Sequence, residues 1–571
     1  MNRLTSALTW AATTLALSAV VACGSDAGSG SGTGAEGGTA PVGGNAGSSG
    51  GGYAEGGSYS AGGSGYGGSG ATGGSGANGG SYGTGGSYGT GGSYSAGGTG
   101  GGYGTGGGYG TGGYGTGGTA EGGAAGAAPV PQENDWIETA VEDTSTFGAD
   151  VDTGSYTSMR QSISGGSLPD PLGVRIEEYT NYFRYQYPEP TTDPFSVSFE
   201  LAPSQFGEAG QDLFRIGIKG KQVPPEERKP ANLVFLIDAS GSMAATNKLP
   251  LIQWSLRQLV KRLEPTDRLG IVVYAGDVRF EMQPTEVNDK SEILDQINRL
   301  QARGGTNGAA GIQTAYAMAE SAFRANGVNR VVLCTDGDFN VGLTGDALIS
   351  EIEEYRDKGV TLSVLGFGTS ANDAFMEQLA DHGNGNYALI DNQNEATRVL
   401  GEDLVSTLQV IAKDVKIQVE FNQDTVQRYR LIGYENRVLN NSDFTNDSVD
   451  SGDLGAGHFV TSFYELERDL SLSQGRMATV RLRYKEPEGD VSTELTFDFD
   501  LSAAASSFDE ASSDFRFAAG VVEFAEILRG SKHSQGQRFD DILQIVSATQ
   551  GEDNLRKEFF GLVVQGSQLS H

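Results

Sequence analysis

Three short segments carry side chains that together can do chemistry. Asp238-Ala239-Ser240-Gly241-Ser242 follows directly on the apolar run Leu233 to Ile237, Gly304-Gly305-Thr306-Asn307 comes later, and Thr335-Asp336-Gly337-Asp338 closes another apolar run, Val331 to Cys334. Two serines, a threonine and two aspartates offer oxygen alone, which suits a hard cation such as Mg2+, or Mn2+ or Ca2+. Hydroxyls with one or two carboxylates leave charge and coordination positions unfilled, and a carboxylate from a partner would complete them. Asp238 to Ser242 taken alone also suits a helix-capping turn, since Asp and Ser both cap well. Hydrolytic chemistry finds less support, because the chain has neither a Gly-x-Ser-x-Gly elbow nor a His-Glu-x-x-His helix. The histidines, His382, His458, His533 and His571, fall outside these segments and are expected to be solvent-facing or locally bonded. The chain is therefore expected not to be an enzyme. A water-activating cation in a metal-dependent hydrolase is the alternative, and a purely stabilising ion is a second.

The elements that must position these residues alternate in type. Between residues 232 and 391, short β-branched or apolar runs (233–237, 269–274, 331–335, 361–367, 387–390) interleave with amphipathic ones (249–263, 293–300, 312–323, 349–355, 375–379). That order predicts an α/β fold with a doubly wound, mostly parallel sheet and helices on both faces. Ligands in such sheets bind at the carboxyl ends of the strands, where all three segments fall. A helix is expected to reach about Ala412. Beyond it, Val415 to Phe421, Thr479 to Tyr484 and Thr496 to Leu501 alternate apolar with polar residues, as half-exposed antiparallel strands of a β-sandwich-like unit do. After Ser513 helical spacing returns in Phe517, Val521, Phe524 and Leu528, which predicts a small helical C-terminal domain.

Asp-x-Ser-x-Ser, the distal Thr and the distal Thr-Asp-Gly resemble the metal-ion-dependent adhesion site of von Willebrand factor type A domains, three separated pieces in the family's order. The resemblance implies that Ser240, Ser242 and Thr306 ligate the ion directly, and that Asp238 and Asp336 act through water or directly. It also implies a protein partner that completes the site with an acidic side chain. Ser145 to Tyr156 and Val174 to Glu178 resemble the N-terminal region of a family of bacterial envelope proteins with such a domain. Thr335 to Gly342, Gly383 to Tyr387, Leu431 to Arg437 and the tail from Phe515 to about Val563 resemble the same family. The expected division is a signal peptide at 1–22, a tether at 23–132, the N-terminal region at 133–230, the type A domain at 231–412, a β-rich domain at 413–512 and the helical domain at 513–571.

The start of the chain and its charge place this domain in a cell. Arg3 precedes an uncharged apolar stretch from Leu4 to Ala22, as in an export signal. Val20-Val21-Ala22-Cys23 resembles the bacterial lipobox, which implies diacylation of Cys23 and a lasting membrane anchor. Gly24 stands where an Asp would resemble an inner-membrane retention signal, so the expected location is the cell envelope at the outer membrane. Residues 24–131 are Gly, Ser, Thr, Ala and Tyr with a Gly-Gly-Ser-Tyr-Gly-Thr repeat, too poor in apolar surface for a core. As a flexible coil they would span on the order of 50 to 60 Å. The net charge of −33 repels phosphates, so no nucleic acid is expected as a partner. Cys334, in its apolar run, is expected to be a buried thiol. Asp150 and Asp152, two residues apart, could share a second cation, but in so acidic a chain they are read as solvated or capping.

Overall fold

The computed structural model describes residues 132–570 except 277, 306–307, 338–344, 369–372, 404–407, 535 and 537. The export signal, Cys23 and the tether lie outside the described residues. The described chain opens with β1 (Ile137–Glu138), β2 (Thr144–Gly148), α1 (Gly154–Ser164), α2 (Ile176–Thr180), β3 (Phe195–Pro203) and β4 (Gln211–Gly220). A central α/β unit follows, made of β5 (Ala231–Asp238), α3 (Leu249–Arg262), β6 (Arg268–Tyr274), β7 (Val278–Glu286), α4 (Lys290–Arg299), α5 (Gly308–Ser321), β8 (Val328–Thr335), α6 (Gly345–Asp357), β9 (Thr361–Phe367), α7 (Asp373–His382), β10 (Tyr387–Ile390) and α8 (Gln393–Thr397). Its sheet runs β10-β9-β8-β5-β6-β7. Every pairing from β10 to β6 is parallel, and the edge strand β7 is antiparallel to β6.

All of β5 is buried because helices cover both faces of the sheet, and its side chains alternate between two cores as a strand's period of two requires. Leu233, Phe235 and Ile237 pack with Leu256 of α3 and Ile297 of α4. Val234 and Leu236 pack on the other face with Ile312 of α5, Leu348 of α6 and Met376 of α7. The doubly wound, mostly parallel sheet expected from the sequence is thus present. Its end differs from expectation: after a π-helical turn at Arg398–Asp403 the chain enters β11 (Val410–Phe421), so no helix reaches Ala412. Val410-Ile411-Ala412 instead begins this strand.

The β-rich part continues with β12 (Val426–Ile432), β13 (Val438–Leu439), β14 (Leu454–Gly455), β15 (Phe459–Arg468), β16 (Arg476–Lys485) and β17 (Ser492–Asp500). Its two sheets run β1-β12-β15-β4-β3 and β13-β2-β11-β16-β17, with β14 also on β11. Strands from before the central unit are therefore woven into both sheets, and residues 413–512 do not make the sandwich by themselves. Phe214, Ile216 and Ile218 of β4 meet Ile417, Val419, Val480 and Leu482 in the core between the sheets. The C-terminal helices α9 (Ser513–Arg529), α10 (Phe539–Thr549) and α11 (Asn554–Leu569) likewise share a core with the start of the chain, where Tyr156 of α1 and Tyr179 of α2 pack with Phe517, Phe524 and Phe559. Among the described residues no helix is long and apolar enough to cross a membrane.

Candidate metal centre

β5 ends at Asp238 and β8 at Thr335, neighbouring parallel strands whose carboxyl ends bring two of the three segments to one sheet edge. Asp238 is fully buried, and its Oδ1 accepts the backbone N–H of Ser240 at 2.7 Å, which folds the loop back over the strand end. Its Oδ2 is buried without a hydrogen bond of ordinary geometry. Burial raises the Asp238 carboxyl to about 6, opposed by the Ser240 N–H and hydroxyl. The Ser240 and Ser242 hydroxyls lie 3.0 Å apart, and Ser242 Oγ donates to Asp336 Oδ2 at 2.7 Å. Asp238, Ser240, Ser242 and Asp336 thus form one connected group.

Thr306 lies outside the described residues. The backbone just before it is tied to the same loop, since Arg303 N donates to Ala239 O at 2.6 Å and Gly241 N to Gly304 O at 3.1 Å. Gly304 has φ +88°, and a Cβ there would stand 3.2 Å from Gly276 N, so a side chain would be strained and crowded at this crossing.

A residue that the sequence alone does not point to joins the group at Asp336. Lys248, just before α3, donates from Nζ to Asp336 Oδ2 at 2.8 Å, with the Asp336 side chain 1% exposed. Its aliphatic stem crosses Gly368, φ +86°, where a Cβ would meet Lys248 Cε at 2.8 Å. In sequence Lys248 shows only as a lone cation in Asn247-Lys248-Leu249-Pro250. The donor set fits a hard divalent cation on two counts: it is all oxygen, and it holds a buried carboxylate oxygen lacking a good partner beside a carboxylate that already attracts a cation. No three His, Cys, Asp or Glu side chains among the described residues are grouped to hold a metal, as expected where hydroxyls supply much of the set.

Asp150 and Asp152 are buried, contrary to the reading of solvated or capping acids. Asp150 Oδ1 accepts Asp152 N at 3.0 Å, and Asp152 Oδ1 accepts Tyr387 N of β10 at 3.0 Å. Arg437 Nε lies 3.4 Å from Asp150 Oδ2, while its Nη2 bonds Asp381 of α7 at 2.8 Å. These acids latch the N-terminal segment to the edge of the central sheet, and burial raises the Asp152 carboxyl well above its usual range. His382 pairs its Nδ1 with Glu353 at 2.8 Å. Cys334 is buried, as expected.

A model described as von Willebrand factor type A domain matches residues 232–402, one described as von Willebrand factor matches 130–214, and one described as Uncharacterized protein YfbK, C-terminal, matches 406–569. The chain is 40% identical to Uncharacterized protein YfbK of Escherichia coli (strain K12) over 461 residues, 76% of this chain and 79% of that protein. It is 30% identical over 189 residues to the mouse (Mus musculus) inter alpha-trypsin inhibitor, heavy chain 4, which spans 31% of this chain and 19% of that one. The solved von Willebrand factor type A structure from Catenulispora acidiphila aligns over 66% of this chain and 91% of its own at 14% identity, with a TM-score of 0.39.

Proposed function

This chain belongs to the YfbK family of bacterial von Willebrand factor type A proteins, and on that premise we propose that it is a lipid-anchored envelope protein that captures a protein partner through a divalent cation. Type A domains serve protein–protein interaction or adhesion, and the cation and the anchor are the finer parts of the reading. The single observation behind the cation is the connected group of Asp238, Ser240, Ser242 and Asp336 at the carboxyl ends of β5 and β8. Asp238, Ser240, Ser242, Thr306 and Asp336 would hold Mg2+, or Mn2+ or Ca2+, which when bound supplies a Lewis-acidic centre for a partner's carboxylate. The chain's own residues do the rest. Asp238 orients the loop through the Ser240 N–H, the two hydroxyls add oxygen without adding charge, and the hydrogen bond from Ser242 aims Asp336.

Calorimetric titration of the metal-free protein with MgCl2 tests the cation. One site is expected in the wild type. Asp238→Ala and Asp336→Ala should each bind about 10 to 100-fold more weakly while keeping their circular dichroism, the usual scale for losing a group that holds or orients metal ligands. Unchanged affinity in both would remove the adhesion-site reading. The anchor is tested separately: Cys23→Ser should no longer label with fatty acid or sediment with membranes, and unaltered labelling would reject the lipoprotein assignment.

A further inference from the structure

A cavity of about 670 Å³ opens where the N-terminal segment, the central sheet, the sandwich and α11 meet. It shares no residue with the candidate metal centre. Its apolar walls are Tyr182, Tyr185, Leu365, Ala388, Val399 and Phe459. Its charged lining is mostly cationic, with Arg184, Lys219, Arg262 and Arg398 against one carboxylate, Asp403. In a chain of net charge −33 that bias runs against the composition. Asp403 is shared, bonding Arg398 at 2.7 Å and Arg184 at 3.1 Å, and Glu189 and Glu395, outside the lining, pair with Lys219 and Arg398. The side chain of Arg262, the last residue of α3, makes no ion pair or hydrogen bond among the described residues. His458 also lines the cavity, and its Nδ1 is buried with no hydrogen-bond partner among the described residues. Burial pushes this imidazole down to about 4, so at neutral pH it is uncharged, a hydrogen-bonding group waiting for a partner.

We propose that this cavity binds a small organic anion with an aromatic or aliphatic body, its charge met by Arg262 and its body lying on Tyr182, Leu365 and Phe459. The volume lies within the roughly 300 to 1,000 Å³ of small-molecule sites, which favour junctions between domains and combine apolar walls with a few convergent polar groups. Because the walls come from every part of the described chain, an occupant would also hold those parts in one arrangement.

The test uses the full-length protein and two fluorescent probes of like aromatic build, anilinonaphthalene sulfonate, which is anionic, and phenylnaphthylamine, which is neutral. The wild type should bind the sulfonate saturably at one site. Arg262→Glu, at an exposed position, should weaken that binding by about tenfold or more while changing the neutral probe little, as reversing a charge beside an anion does. Leu555→Trp, which enlarges a side chain lining the cavity, should weaken both probes with the thermal midpoint preserved. Equal binding of the sulfonate to wild type and Arg262→Glu would overturn the proposal, since general apolar surface binds such dyes without regard to one arginine. Displacement of the sulfonate by an acidic peptide but by no aryl or alkyl carboxylate would overturn it in favour of a peptide site.

Discussion

The Lys248 ammonium already neutralises part of the charge that a divalent ion would meet at Asp336. It therefore acts as a built-in competitor. Lys248→Gln should tighten Mg2+ binding on the order of tenfold, about 1.4 kcal/mol, while lowering the metal-free midpoint, because a buried carboxylate loses its charged partner. Added MgCl2 should then raise the midpoint of Lys248→Gln more than that of the wild type. Equal Mg2+ affinity in both proteins would show that the lysine does not compete. At this scale the aspartates and serines were legible because each follows an apolar strand directly, so local sequence alone puts them at a sheet edge. Lys248 was not, because its reach to Asp336 depends on the close passage of Gly368, far away in the chain. Asp150 and Asp152 were misread for a related reason. Their partners, Arg437 and the Tyr387 N–H, come from segments that only the folded chain brings near.

The helices facing each other across the N-terminal segment and the central unit carry an unusual load of buried acid. Glu178 of α2 accepts Ser155 N at 2.7 Å, and Glu377 of α7 lies 2.7 Å from Arg175, the residue before α2. Glu177 accepts Tyr434 N at 2.9 Å. Burial raises Glu177 to about 7 and Glu377 to about 8, and raises Glu178 well above its usual range. A carboxyl raised on folding binds its proton more tightly in the native state. The stability it lends is thus fully present below its unfolded value, near 4.5, and is lost as pH rises through the folded value. The thermal midpoint should accordingly increase by a few degrees, as a rough scale, between pH 8 and pH 5. Glu377→Gln should flatten that profile and raise the midpoint at pH 8. A midpoint that rises with pH over this range would contradict the assignment. Elements themselves were legible where burial was two-sided, as in β5, β9 and β10. The antiparallel edge strand β7 escaped notice although Val278 to Gln283 alternate apolar with polar residues, because Pro284 breaks that run and only an edge tolerates such a proline.

The described chain is built on a sandwich with a second domain inserted into it, and no periodicity could show this because the pairing of β2 with β11 skips the entire type A domain. The two crossings lie side by side: Lys229 N donates to Gln409 Oε1 at 2.9 Å, and Gln409 Nε2 donates to Lys229 O at 3.1 Å. Replacing residues 231–408 with a short Gly-Ser linker should therefore leave a folded, cooperatively melting β protein with the C-terminal helices attached. Loss of its antiparallel-sheet circular dichroism would mean that the insert is needed to hold the sandwich closed. Deleting 132–148 instead should unfold the sandwich, because it removes β1 from one sheet and β2 from the other. The same weave sets an order of events during synthesis. β2 leaves the ribosome about 260 residues before β11, a wait of roughly 13 to 50 s at roughly 5 to 20 residues per second. Through that interval β2 has no native partner and β4 has only β3, while the type A domain behind them has all the strands it needs. A nascent chain stalled when residue 409 has just cleared the ribosome should carry a protease-resistant inserted domain and a protease-sensitive leading segment: the first strands made are among the last to be paired.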